Sequence, residues 1–463
     1  MSDRAHVAPE LAFEPPPSRV EVLIVGGSIA GCAAARALAL AGRQVLLVEK
    51  NVSPDRRRLA GEMMHPRGAQ VLARLGFLDA VRGLGGTPIN GFACWESPTV
   101  EPHLLDYASQ PDQPTHQGIA LHHHELVGTL LELARSTPGV RAVRGELLDL
   151  LWEGDRVTGA RIRQNQHEVT IGTQLVVAAD GRHSRTRSKL GIGHHMAQPS
   201  MSIGVPVPLS ALPYPDRGHV FLGSWGPCLA YPVGRSDARV ILDYPIGKHP
   251  GRELVPELER THLGVFPPHL REAVINALHT GPPRFAANHQ LTVDAVHVPG
   301  GVLVGDANGI VHPLTAAGMT LSFFDAEQLG EALAEPGPIN RLRLADYARR
   351  RQLFAWARTA LCDSLYEVFA GRTAETAAMR RAVFEHWRSS DSARERTMSL
   401  LSCQSSSPVT FVEQYLRVLG RAVIEVPSVS KPLPAWRLGS GLLKDSGRLL
   451  RRQAREVWRV AAS

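Results

Sequence analysis

The chain has 463 residues, of which 44% are hydrophobic and 21% charged, with a net charge of +7. This is enough apolar material for a large core and two or three domains, and it excludes a disordered or collagen-like chain. There is no uninterrupted apolar run of about eighteen residues, and Met1 to Ser18 lacks a signal-peptide core, so residues 1–18 read as a disordered leader and the protein as cytoplasmic. Cys32, Cys94, Cys228, Cys362 and Cys403 are widely spaced without a CxxC pair, which points to buried small hydrophobes rather than disulfides or zinc.

Val20 to Val25 reads as a β-branched strand, Gly26-Gly27-Ser28-Ile29-Ala30-Gly31 as a tight turn, and Cys32 to Ala41 as a helix stopped by Gly42. Gln44 to Glu49 is a second buried strand ending on a carboxylate. This is a βαβ dinucleotide fingerprint, in which turn N–H groups approach a pyrophosphate and the helix N-terminus stabilises its charge. Glu49 is placed to accept from a ribose hydroxyl, and Ser28 occupies the middle glycine position with a side chain small enough to fit. Leu121 to Ala134 has a helical pattern. Its His122-His123-His124 run projects side chains in diverging directions, so it is not a metal site.

Leu175 to Ala179 is another buried strand, and it runs into Asp180-Gly181-Arg182-His183-Ser184-Arg185-Thr186-Arg187, which fits a DGxxSxxR pattern. Short apolar stretches between about 191 and 283 predict an antiparallel substrate sheet. Gly301 to Asp306 restores the buried-strand pattern and delivers Asp306 where a carboxylate can bind ribityl hydroxyls. A loop through Pro313 then opens a helix near Ala317 and Gly318, whose N-terminus can stabilise reduced-flavin charge. Two flavin-directed elements in one chain favour FAD over NAD as the bound cofactor. No serine has a nucleophile-elbow context, so hydrolysis is not supported.

Beyond Pro338 the chain reads as helical, with a break marked by Pro427, Pro432 and Pro434. From Lys431 onward eight Lys and Arg face only Asp445 and Glu456. Leu442, Leu443, Leu449, Leu450, Val457 and Trp458 recur at helical spacing opposite the basic residues. Residues 435–463 therefore form a basic amphipathic helix, either packed on the body or lying on an anionic membrane surface; nucleic acid is not expected.

The segment GDANGIVHPLTAAGMTLSFFDAEQL, residues 305–329, resembles the GDAxxxxHPLTGGGMT signature of squalene monooxygenases (squalene epoxidases) in the flavoprotein hydroxylase superfamily. Asp55 to Gly68 is similar to that family's DRIVGExxQPGG, Leu121-His122-His123 to its FHH, and Phe354 to Arg358 and Leu365 to Phe369 to its C-terminal helices. The resemblance implies FAD contacts at Ile29, Ala30, Glu49, Lys50, Arg58, Asp306 and Met319, beside Gly26, Ser28, Gly31, Asp180, Pro313 and Gly318 from the motifs. In such proteins Asp180's counterpart serves flavin and nicotinamide-donor positioning. Three positions depart from the family: Glu125 replaces arginine, His65 glutamine and Phe92 tyrosine, the last two being substrate-pocket candidates.

The expected architecture is α/β: a glutathione-reductase-type, Rossmann-like FAD domain (19–190 and 284–340), an inserted antiparallel substrate sheet (191–283), and a C-terminal helical region (341–463). The implied activity is insertion of one oxygen from O2 into a hydrophobic isoprenoid alkene through a flavin hydroperoxide. NAD(P)H would supply electrons directly or through a flavin reductase. Aromatic-ring hydroxylation and isoprenoid reduction on the same fold remain alternatives, as does a non-enzymatic flavin-binding sensor at a membrane surface. A halogenase is disfavoured because no WxWxIP segment occurs.

Overall fold

The computed structural model describes residues 16–51, 59–107, 113–245 and 253–429, so Arg58 and the basic segment 435–463 lie outside the described residues. Strands β1 (Arg19–Val25) and β2 (Val45–Glu49) flank helix α1 (Ile29–Leu40). They sit in a sheet whose parallel run is Gly301–Leu303, His167–Ala178, β1, β2 and Val140–Arg144. Alternation explains how β1 and β2 are buried on both faces. Val22, Ile24, Val45 and Leu47 pack against α1 and Gly318–Ala332, while Leu23, Val25, Leu46 and Val48 meet the Glu146–Gln164 hairpin.

Helices α1 and Gly318–Ala332 run side by side in the same direction, because contacts at their starts and further along occur in the same order. A Cβ at Gly305, which also has φ +60°, would come within 2.5 Å of Ala30 Cβ and 3.3 Å of Ser322 Oγ. One at Gly330 would lie 2.9 Å from Ala37 Cβ. Both helix N-termini therefore stand at the carboxyl edge of the parallel sheet.

The second sheet has seven strands in the order Arg284–Val293, His194–Pro208, Asp237–Pro245, Cys228–Pro232, Gly218–Phe221, Gly91–Trp95 and His103–Asp106. The expected boundaries of 191–283 are corrected at both ends. Gly91–Trp95 and His103–Asp106 come from inside the expected FAD domain, and Arg284–Val293 pairs with His194–Pro208 rather than with the parallel sheet. The sheet is also not wholly antiparallel, since Gly91–Trp95 and Gly218–Phe221 pair in parallel, as strands brought together from distant parts of a chain can.

Among the described residues, the C-terminal region contains four helices, Arg341–Ala370, Ala374–Ser389, Asp391–Leu401 and Pro408–Val429. The last continues through Pro427, so the expected break does not fall there. All five cysteines are buried.

The fold depends on the first glycine turn. A Cβ at Gly31 would lie 1.8 Å from the Gly26 carbonyl oxygen, so Gly31→Ala should push α1 off the turn. We expect a loss of about 1–3 kcal/mol and a reduced flavin-to-protein ratio, read by denaturation and absorbance. Gly128, in the helix His123–Arg135, meets nothing within 4 Å of an added Cβ. Gly128→Ala should instead stabilise by about 0.5–1 kcal/mol.

Candidate active site

Four polypeptide segments meet at the carboxyl edge of the parallel sheet, where open α/β sheets bind ligands. They are the Gly26–Ser28 turn after β1, Glu49 at the end of β2, Asp180 after His167–Ala178, and Gly305–Asp306 after Gly301–Leu303. Neither α1 nor Gly318–Ala332 carries a side-chain cap or an acidic residue in its first turn. Their leading N–H groups and dipoles are thus left for an anionic ligand. Ser28 and Gly318 are exposed there, while Ile29 and Ala30 are buried and contribute through backbone.

Glu49 accepts from the backbone N–H of Gly27 at 2.5 Å and of Asn51 at 2.6 Å. A carboxylate has about four acceptor sites, so Glu49 braces the turn and keeps capacity for ribose hydroxyls. Lys50 leads away, 2.8 Å from Glu146. Asp180 is turned onto its own loop: it accepts from Ser184 Oγ, from Thr186 N–H at 3.0 Å and from Thr186 Oγ1 at 2.9 Å. Its part here is to shape the turn that lies against Gly26, rather than to reach outward.

Arg187, to which the sequence assigned no separate task, is 1% exposed and donates to the Ala307 carbonyl at 2.9 Å and to Arg182 O at 3.0 Å. It ties the DGxxSxxR turn to the Asp306 turn, and the motif's arginine was the signal for it. Asp306 is half-buried in the turn Gly305–Ala307. Gly305 N–H is anchored at 2.8 Å by Asp325, itself paired with Arg351 at 3.2 Å. The uncapped helix termini, the acceptor capacity of Glu49 and the close glycine approaches suit the pyrophosphate, ribose and ribityl parts of FAD.

The loop from His312 to Ala317 closes the other side, with Pro313 exposed and Ala316 in left-handed backbone at φ +48°. Met319 is buried, and its Cγ lies 3.3 Å from a Cβ built on Gly61. His65 is fully buried. Its Nε2 lies 2.7 Å from the Thr315 carbonyl, which can only accept, so Nε2 carries the proton. Nδ1 then accepts from Tyr107 OH at 2.8 Å. Burial, with Arg358 nearby, pushes the His65 pKa down to about 4 and keeps the ring neutral. Phe92 lies 6.0 Å from His65 and 6.2 Å from Tyr107, ring to ring.

The two expected pocket residues are therefore brought together, and Tyr107 joins them although no sequence motif marks it. Around them lies an apolar cluster that spans Leu314 of the loop, Leu105 and Val220 of the second sheet, and Phe369 and Phe384 of the C-terminal helices. Glu125 lies in the first turn of the helix His123–Arg135, and His123 is bound to the Gly61 carbonyl at 3.0 Å.

A flavin-directed sheet edge facing an apolar, water-excluding cluster defines an FAD-dependent monooxygenase. Among solved structures, the chain is similar to p-nitrophenol 4-monooxygenase from Pseudomonas putida (TM-score 0.69, 19% identity, 84% of this chain and 99% of that one). A probable FAD-dependent monooxygenase from Pseudomonas aeruginosa gives a TM-score of 0.63 at 23% identity, over 76% of this chain and 97% of that one. Residues 24–84 match an NAD(P)-binding Rossmann-like domain. Residues 172–433 match the squalene epoxidase family, and the chain belongs to it. Squalene epoxidase 3 of Arabidopsis thaliana is 29% identical over 93% of this chain and 83% of its own length. Squalene monooxygenase of Mus musculus is 27% identical over 92% and 76%.

The buried histidines predict an acid limit to stability. His219, like His65, has its pKa lowered by burial to about 4, below the ordinary 6.5. Between those values the unfolded chain takes up protons that the native chain excludes. Stability should therefore fall as pH drops from 6.5 toward 4, by up to about 1.4 kcal/mol per pH unit for each histidine, and be insensitive to them above 6.5. His65→Gln should flatten that slope by one histidine's share in denaturation curves taken at stepped pH.

Proposed function

We propose that the protein epoxidises an electron-rich double bond of an isoprenoid hydrocarbon, squalene or a close relative. The observation that carries this reading is the apolar cluster built against the flavin loop through Leu314. The cluster consists of packed, buried apolar side chains, which would offer a long hydrocarbon dispersion contact and little to hydrogen-bond. FAD, when bound and reduced, supplies the reaction with O2 and the transferable oxygen atom.

The chain's own residues exclude water and orient the alkene. Phe92 and the neutral His65 lie ring to ring, and His65 and Tyr107 are hydrogen-bonded to one another, so that they would offer the substrate no stray proton. Electrons come from NAD(P)H, directly or through a flavin reductase. Incubation of the purified flavoprotein with NADPH, a reductase, squalene and prenylated aromatics under ¹⁸O2 tests the reading. A labelled epoxide is expected; a labelled phenol, or a saturated product without label, would replace epoxidation by ring hydroxylation or alkene reduction.

A lipid-dissolved substrate would be met most readily by an enzyme in the cytoplasm attached peripherally to a membrane. Two features support this. Residues 435–463 have the basic amphipathic pattern, and the preceding helix exposes Val409, Leu416, Val423 and Ile424. Among the described residues, no helix is long and apolar enough to cross a membrane. Each basic side chain near an anionic surface contributes about 1 kcal/mol, so salt should release the protein. A chain ending at Pro434 should keep its FAD and turn over detergent-dispersed substrate but lose binding to anionic vesicles in sedimentation. Equal vesicle binding by the two forms would refute attachment through this segment.

A further inference from the structure

The flavin loop is gripped from the second sheet by residues that the cofactor site does not otherwise use. His312, immediately before Pro313, is 2% exposed. Its Nδ1 accepts from the backbone N–H of Leu314 at 3.3 Å, which places the ring proton of the neutral imidazole on Nε2. That N–H donates to Ser200 Oγ at 2.9 Å, and Ser200 donates to Asp243 Oδ1 at 2.5 Å. Asn288 Nδ2 donates to Ser200 Oγ at 2.9 Å and to Asp243 Oδ1 at 3.0 Å. Tyr366 OH donates to Asp243 Oδ2 at 2.8 Å, and its ring packs 4.2 Å from that of His312.

Every hydrogen-bonding capacity of the Ser200 hydroxyl is thereby used: one proton given and two lone pairs filled. Asp243 is 3% exposed and held by three neutral donors from three elements, with the neutral His312 ring nitrogen 3.5 Å away. Because the carboxylate can only accept when ionised, it fixes the direction of the Ser200 O–H. The hydroxyl in turn offers His312 an acceptor and so selects the tautomer that leaves Nδ1 free for Leu314. Remove the hydroxyl and the Nε2 N–H loses its acceptor on the sheet, so the imidazole, still tied to the Leu314 N–H through Nδ1, is no longer held in place from that side. The other end of the same loop is held by His65 at the Thr315 carbonyl.

We propose that Asp243, Ser200 and His312 are positioning residues for the flavin, a hydrogen-bonded chain through which the substrate sheet sets where the loop Pro313–Thr315 stands against the cofactor. The proposal rests on the FAD-dependent monooxygenase assignment and is independent of which alkene is the substrate.

The test uses the full-length holoenzyme and reads the flavin without any substrate. Ser200→Ala should keep FAD but change the ratio of its affinities for reduced and oxidised flavin by threefold or more, read as a shifted midpoint potential. The visible flavin band should shift with it. Ser200→Thr, which retains a hydroxyl, should restore both values. Asp243→Asn, of nearly the same shape, should produce the same flavin changes and serves if Ser200→Ala folds poorly. The control is Ser202→Ala. Ser202 lies on the same strand, is 6% exposed and donates to Asn288 Oδ1 at 2.8 Å without touching His312. Its loss should lower the melting temperature and leave the flavin unchanged. Unchanged potential and spectrum in both Ser200→Ala and Asp243→Asn would overturn the proposal, as would equal flavin changes in Ser202→Ala. Failure to epoxidise squalene would touch only the substrate assignment, since none of these readouts requires it.

Discussion

The close approach of α1 to Gly305 is the contact on which the cofactor site depends. A side chain at Gly305 would occupy the space of Ala30 Cβ, and the φ of +60° there favours glycine. Because that contact is made, the N-terminus of α1 stands beside the N-terminus of Gly318–Ala332 with the two helix dipoles parallel. Two like dipoles side by side repel unless something anionic lies at their positive ends. The same contact brings Asp306 within the edge formed by Gly26, Glu49 and Asp180. A dinucleotide cofactor bound at this edge would relieve that repulsion, the uncapped helix termini offering N–H groups to its pyrophosphate and to the charge of its reduced flavin.

Around this edge buried polar pairs and a cluster of apolar side chains lie side by side. Glu62 and Arg239 form a bidentate pair at 3.0 and 2.9 Å with both side chains 4% exposed. A buried pair of that geometry costs desolvation, so it specifies registry more than it stabilises. Here it fastens the segment leading to His65 onto the second sheet. The Asp243, Ser200 and His312 chain does the same for the flavin loop. Leu314, Phe92 and apolar side chains of the C-terminal helices pack together in one buried cluster.

The second sheet is built from three separate stretches of chain, and this makes it a coupling element rather than an appended domain. Gly91–Trp95 carries Phe92 and is continuous with the polypeptide that lines the FAD edge. His194–Pro208 carries Ser200, and Asp237–Pro245 carries Asp243. Phe92 and the flavin-loop anchor residues thus sit on different strands of one hydrogen-bonded sheet, through which a shift of one strand can reach the others.

The sequence by itself determined the parallel sheet and the cofactor class, because both are written in local patterns. β-Branched runs, glycines that permit close approach, and carboxylates at strand ends occur within short spans, so Gly26, Gly31, Glu49 and Asp306 could be read in place. The family signature over 305–329 extended that reading to the chemistry. Only the tertiary structure decided the composition of the second sheet, since Gly91–Trp95 and Arg284–Val293 join it through pairings between distant segments that no local period encodes. It likewise decided that Asp180 turns inward, that Tyr107 completes His65, and that Ser200, Asp243 and His312 form one chain. Those assignments depend on which donors and acceptors meet after burial, 43 positions apart for Ser200 and Asp243 and 112 for Ser200 and His312, where spacing along the chain carries no information.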